Sequence, residues 1–149
     1  MADRKRDTTR TRAACLLSVL LGSNIAQAAN IRIATDPPFD KGTLYASIHA
    51  ADAPDWNTPL RTLESDEADP MFEGLAPGRY AVQLFIDLNG NGSLDTSPRG
   101  FPREPVGFSQ NPSLLRGQPD PNDCAFELGD RNVELRVRLY QPRNPVTAK

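Results

Sequence analysis

The sequence predicts an all-β protein: a single antiparallel β-sandwich of about seven strands with a long calcium-pinned loop. Apolar residues recur with period 2 along several segments, and no segment of ten or more residues follows a convincing 3.6 period. In addition, 14 Pro and 10 Gly among 149 residues interrupt the chain too often for a helical bundle. The length suits one compact domain and leaves no room for two lobes with a cleft between them.

The first 28 residues stand apart from this pattern. Arg4, Lys5, Arg6, Arg10 and Arg12 lead into the apolar run 13–21, which ends in Gly22-Ser23-Asn24 and then Ala26-Gln27-Ala28. The run is shorter than the roughly 20 residues a membrane span needs. Its basic start, apolar middle and small-x-small end are those of a secretory signal peptide. Cleavage after Ala28 is expected, leaving 29–149 as one domain, periplasmic or secreted, with no membrane span. Removing five basic and two acidic residues from 17 and 19 leaves 12 and 17, a net charge of −5. With no basic run left, no nucleic acid partner is expected. Cys15 goes with the leader, so Cys124 has no intramolecular disulfide partner.

In the remainder, Ile31 and Ile33 begin a strand that ends at Asp36-Pro37-Pro38. Leu44, Ala46, Ile48 and Ala50 line one face of the next strand, with Tyr45, Ser47 and His49 opposite. Leu60 and Leu63 suggest a short third strand. Met71, Phe72 and Leu75 lead to the turn Ala76-Pro77-Gly78, where proline sets φ and glycine accepts a positive one. The strongest pattern follows, with Tyr80, Val82, Leu84 and Ile86 on one face and Ala81, Gln83 and Phe85 on the other. This strand is expected at the centre of its sheet. Near the end, Val133, Leu135, Val137 and Leu139 alternate with Glu134, Arg136, Arg138 and Tyr140, one face apolar and one solvated. Between them, 98–124 is rich in Pro and Gly without a pattern of its own, and a segment that long needs something to pin it.

Directly after the strongest strand stands Asp87-Leu88-Asn89-Gly90-Asn91-Gly92-Ser93-Leu94-Asp95. Loop positions 1, 3, 5 and 9 carry oxygen side chains, position 6 is glycine, and Ser93 at position 7 can offer its carbonyl. Such a loop turns alternate oxygens onto one hard cation, which suits calcium and not zinc. Pro98 occupies position 12, where a bidentate Glu would complete the set, and Glu104 is the nearest acidic substitute. With so few carboxylates the site is structural and weak, Kd on the order of 10⁻⁴ to 10⁻³ M. The competing reading is a plain Asn-Gly turn, since both Asn-Gly pairs suit positive φ without any metal.

The ordered set Pro77-Gly-Arg-Tyr80-Ala-Val, the 87–95 loop, and Gly100-Phe-Pro102-Arg-Glu104-Pro-Val-Gly107-Phe108-Ser109-Gln-Asn111 resembles a bacterial exported family, domain of unknown function 2141. The resemblance covers most of 29–149 and implies an exported β-sandwich, with no catalytic residues to carry over. Leu75-x-Pro77-Gly78-x-Tyr80 also looks like the strand entry of transthyretin-like and carboxypeptidase-regulatory modules.

No reaction is legible. His49 is the only histidine, so a Ser-His-Asp arrangement would run through it with Ser47 or Ser109, yet no Gly-x-Ser-x-Gly elbow exists, and a solvent-facing His49 is expected. The leading function is a non-enzymatic module of the cell envelope that binds an unknown protein or glycan, its oligomeric state open. The alternative is a small extracytoplasmic hydrolase using Glu104 and an aspartate. Phe101, Phe108 and Trp56 fall outside the strong strands, as a recognition surface or as anchors of the long loop. Phe108 is expected to fold inward and Cys124 to be buried.

Overall fold

The computed structural model describes residues 27–143. These contain eight strands: β1 (Ala29–Asp36), β2 (Thr43–Ala50), β3 (Arg61–Ser65), β4 (Met71–Leu75), β5 (Gly78–Asp87), β6 (Val106–Phe108), β7 (Phe126–Leu128) and β8 (Val133–Arg138). A single 3-10 turn, Pro121–Cys124, is the only helical element among the described residues. The leader expected in 1–28 lies almost wholly outside them.

The strands form two sheets. One has the order β4-β1-β8, the other β3-β2-β5-β6, with β7 also on β5. In the second sheet Leu44 faces Ile86, Ala46 faces Leu84 and Ile48 faces Val82, so the period-2 apolar positions of β2 and β5 come out on one side. They join Ile31, Ile33, Phe72, Leu135 and Val137 of the first sheet in one buried core. Tyr80 marks the entry to β5: its hydroxyl donates to the Ala76 carbonyl at 2.8 Å, so its ring closes over Gly78.

The sheets are joined at one edge. Val106 and Tyr140 exchange backbone hydrogen bonds of 3.2 and 2.8 Å, tying β6 of one sheet to the chain just beyond β8 of the other. Gly107 is required at this seam, because a Cβ there would stand 2.5 Å from Val137 Cγ1 and 3.0 Å from the Arg138 carbonyl. Beside it the Asn111 amide donates to the Arg136 carbonyl at 3.1 Å and accepts the Arg138 N–H at 2.6 Å, standing in for a neighbouring strand. At the opposite edge the Arg61 guanidinium of β3 donates to the Glu73 and Gly74 carbonyls of β4.

Four expectations need correction. The described residues hold eight strands rather than about seven, because β6 and β7 are three residues each and too short to show alternation. The pairing is not wholly antiparallel: β1 and β8 run parallel from Ile31↔Val133 to Asp36↔Arg138. The segment 98–124 is not patternless, since it contains β6 and the 3-10 turn. His49 is not solvent-facing but fully buried.

The reason for the last is a second apolar cluster on the outer face of the larger sheet. Ala81, Val106, Phe108 and Cys124 are buried there, with Trp56, Phe85, Leu114 and Tyr140 packed around them. Trp56 meets His49 edge-on at 5.0 Å and Phe108 at 5.6 Å, and its indole N–H donates to the Pro119 carbonyl at 2.8 Å. The loop between β2 and β3 and the long segment itself thereby cover a face that alternation alone leaves open to water. Phe108 folds inward and Cys124 is buried and free, as expected.

Candidate functional site

β5 ends at Asp87, whose backbone still pairs with Thr43 of β2, so the carboxyl group that opens the acidic loop is fixed by the sheet. From there the chain turns through Gly90 and Gly92, with φ of +74° and +75°. Both positions favour glycine, which adopts this region without a Cβ penalty. The turn points its amides inward. Asp87 Oδ1 accepts the Gly90 N–H and Oδ2 the Gly92 N–H, each at 2.7 Å. Asn89 Oδ1 accepts the Asn91 N–H at 3.1 Å, and Asn91 Oδ1 accepts the Ser93 N–H at 2.9 Å.

The loop closes on Asp95. The side-chain amides of Asn89 and Asn91 both donate to its Oδ2, the second at 3.2 Å, so positions 3, 5 and 9 converge on one oxygen. Ser93 is exposed and takes part through its backbone. Glu104 returns beneath the loop: Oε1 accepts the Leu88 N–H at 2.8 Å and Oε2 the Asp95 N–H at 3.0 Å. One buried carboxyl group thereby clamps both ends of the loop. The side chains of Asp87, Asn89, Asn91 and Asp95 are brought together with Glu104, while that of Ser93 is not, with Asp87 only 2% exposed and Glu104 fully buried.

Electrostatics follow from these donors. Burial pushes the Asp87 pKa up, but the N–H groups of Gly92, Gly90, Asn91 and Asn89 outweigh it and hold the carboxyl below its usual range. Each side-chain oxygen that accepts one N–H keeps a further lone pair. Among the described residues no three His, Cys, Asp or Glu side chains gather as a metal-binding group. A cation at this loop would therefore draw on asparagine and backbone oxygens besides its carboxylates, the composition of a weak calcium site.

Catalytic candidates fare differently. Ser47 Oγ lies 2.9 Å from His49 Nε2, a pair that spacing on one strand face makes possible. His49 Nδ1 is buried without a hydrogen-bond partner of good geometry. Burial lowers the His49 pKa, partly offset by the Thr58 backbone and the Asp55 carboxyl. Ser109 is spent on structure: its hydroxyl donates to the Cys124 carbonyl and accepts the Val82 N–H at 2.9 Å. Glu104 presents no surface to a substrate, and both its oxygens are engaged. The only sequence signal for the role of Asn111 at the seam is a Ser-Gln-Asn turn after a Gly-Phe pair.

Compared with known proteins, residues 37–136 match the model of a family described as "Uncharacterized protein conserved in bacteria (DUF2141)". No curated protein matches the chain. No solved structure matches it either.

Proposed function

The chain belongs to the DUF2141 family of bacterial proteins, and from that premise we propose that it is an exported, non-enzymatic β-sandwich module of the cell envelope whose acidic loop binds calcium weakly. The observation that carries the calcium reading is the convergence of Asn89, Asn91 and Asp95 opposite a buried Asp87. Calcium replaces the amide donors at the centre of that loop with a cation, the Asn89 and Asn91 side chains turning their oxygens to it. Asp87, Asn89, Asn91, Asp95 and the Ser93 carbonyl supply oxygens, and Glu104 holds the frame or adds a ligand. Export is supported by the leader-like composition of 1–28, and a cut after Ala28 leaves every described strand on the mature chain.

The hydrolase reading asks Glu104 to exchange a proton with a substrate, and its burial beneath Leu88 and Asp95 weighs against that role. The module's partner is a protein or glycan of the envelope.

A thermal melt in chelator against one in about 10⁻² M calcium tests the ion site. With Kd on the order of 10⁻⁴ M, binding to the native state alone adds RT ln(1 + [L]/Kd), roughly 2.7 kcal/mol, and raises Tm by several degrees. Asp87→Ala and Asp95→Ala abolish the shift, and magnesium gives less of it. An unchanged Tm for the wild type reduces the loop to an Asn-Gly turn.

A further inference from the structure

Just beyond the acidic loop the chain doubles back in a small hairpin. The Arg103 N–H donates to the Asp95 carbonyl at 2.8 Å, Thr96 bridges Pro102, and the Ser97 N–H donates to the Phe101 carbonyl at 2.8 Å. The turn is locked from within, the Gly100 N–H reaching the Ser97 carbonyl at 2.8 Å and the Ser97 hydroxyl accepting the Phe101 N–H at 3.1 Å. Its backbone needs nothing further, and its large side chains stand in water. Phe101 is 65% exposed, and Leu94 at the base of the hairpin is 38% exposed. Arg99 and Arg103 are exposed and form no ion pair among the described residues. No acidic residue lies within 96–103, and the carboxyl groups that flank it, Asp95 and the fully buried Glu104, turn back into the acidic loop and accept its N–H groups, which leaves the two arginines as the outward charges of the hairpin.

We propose that this hairpin is the contact by which the protein rests on an anionic phospholipid surface, Phe101 entering the headgroup boundary while Arg99 and Arg103 meet lipid phosphates. The proposal rests on the reading of the chain as an envelope module and adds a lipid contact to its protein or glycan partner. Phe101 and Arg103 are two residues apart on the extended return arm, which puts them on one face. Charge complementarity selects an anionic partner, and the arginine stems can lie along the apolar boundary with their heads in the phosphate layer. The size of the patch selects a surface over a protein. Four side chains at one hairpin turn offer on the order of a few hundred Å², short of the roughly 800 Å² per partner of a specific protein interface. A deformable plane accepts such a tip without a matching groove.

The test is co-sedimentation with large vesicles in chelator and low salt, wild type and variants being compared as the same expressed form so that residues outside the hairpin cancel. Wild type is expected to sediment with vesicles of equal parts phosphatidylglycerol and phosphatidylcholine, and not with phosphatidylcholine alone. Arg99→Gln and Arg103→Gln each weaken this about fivefold, and together on the order of 25-fold. In Phe101→Trp the new indole emission shifts to the blue on the anionic vesicles, above the constant background of Trp56. Absence of wild-type sedimentation, equal sedimentation of the double variant, or sedimentation without the emission shift overturns the proposal. Retention on cell-wall glycan without vesicle binding overturns it equally and assigns the tip to a sugar. Because chelator is present throughout, these outcomes are independent of the calcium-dependent melt, and cell fractionation separately tests the envelope reading.

Discussion

Replacing Glu104 by Gln exchanges one carboxyl oxygen for an amide nitrogen at almost constant volume, so its effect reads the clamp and not the packing. Glu104 accepts the Leu88 N–H and the Asp95 N–H, one on each oxygen, with no access to water. Glutamine can accept only one of them, and its NH₂ then faces the other donor. The lost bond to a charged acceptor is worth about 1.5–3 kcal/mol, and the orphaned buried N–H adds to the cost; together about 3 kcal/mol is expected. At about 4 °C per kcal/mol for a domain of this size, Tm falls by about 12 °C. A two-state melt followed by far-ultraviolet dichroism in chelator measures it, with urea unfolding to show that the m-value is unchanged. A loss below about 1 kcal/mol refutes the clamp. A variant that keeps its Tm but loses turnover on a glycoside, ester or peptide substrate reverses the choice between module and hydrolase.

Three further perturbations reach other parts of the molecule. Gly107→Ala forces a Cβ against Val137 and the Arg138 carbonyl and is expected to cost about 1–3 kcal/mol; an unaltered Tm contradicts the tight seam. Because burial lowers the His49 pKa in the folded state, the unfolded chain takes up the proton first as pH falls below about 6.5, and stability drops from there toward the folded pKa. His49→Gln flattens that part of a Tm-against-pH curve, and a curve that keeps its slope in the variant assigns it to another group. Burial first, then Asp123 and Asp120, pushes the Cys124 thiol up to about 12. In a Cys15→Ser background a thiol reagent at pH 8 is expected to label the protein only after denaturation, and prompt labelling of the native state refutes its burial.

Periodicity located the elements whose two faces differ. β2, β5 and β8 alternate because one side meets the core, which leaves Leu44, Ala46, Ile48, Val82, Leu84, Ile86, Leu135 and Val137 inward at period 2. It was silent on β6, where Val106, Gly107 and Phe108 are all buried because the strand lies between the core seam and the outer cluster. A strand covered on both faces carries no alternation to read. The same cause hid His49: local spacing put it opposite the core, while the cover comes from Trp56 in the following loop, itself held by the chain around Pro119, far away in sequence. The acidic loop is legible because its geometry is local, Asp87, Asn89 and Asn91 each bonding an amide two to five residues on. Glu104 was reachable from the scarcity of other acids nearby, but its partnership with two amides depends on the whole returning segment.

The parallel pairing of β1 with β8 joins the first strand of the domain to the last, with Ile31 beside Val133 and the Asn30 N–H on the Asn132 side chain at 2.8 Å. Contacts of that sequence separation raise the entropic barrier to folding. During synthesis from the N-terminus, β1 has one unfilled edge until nearly the whole chain has emerged. In that order of emergence the edge of β1 is completed only by β8, so the smaller sheet closes with the last strand of the domain.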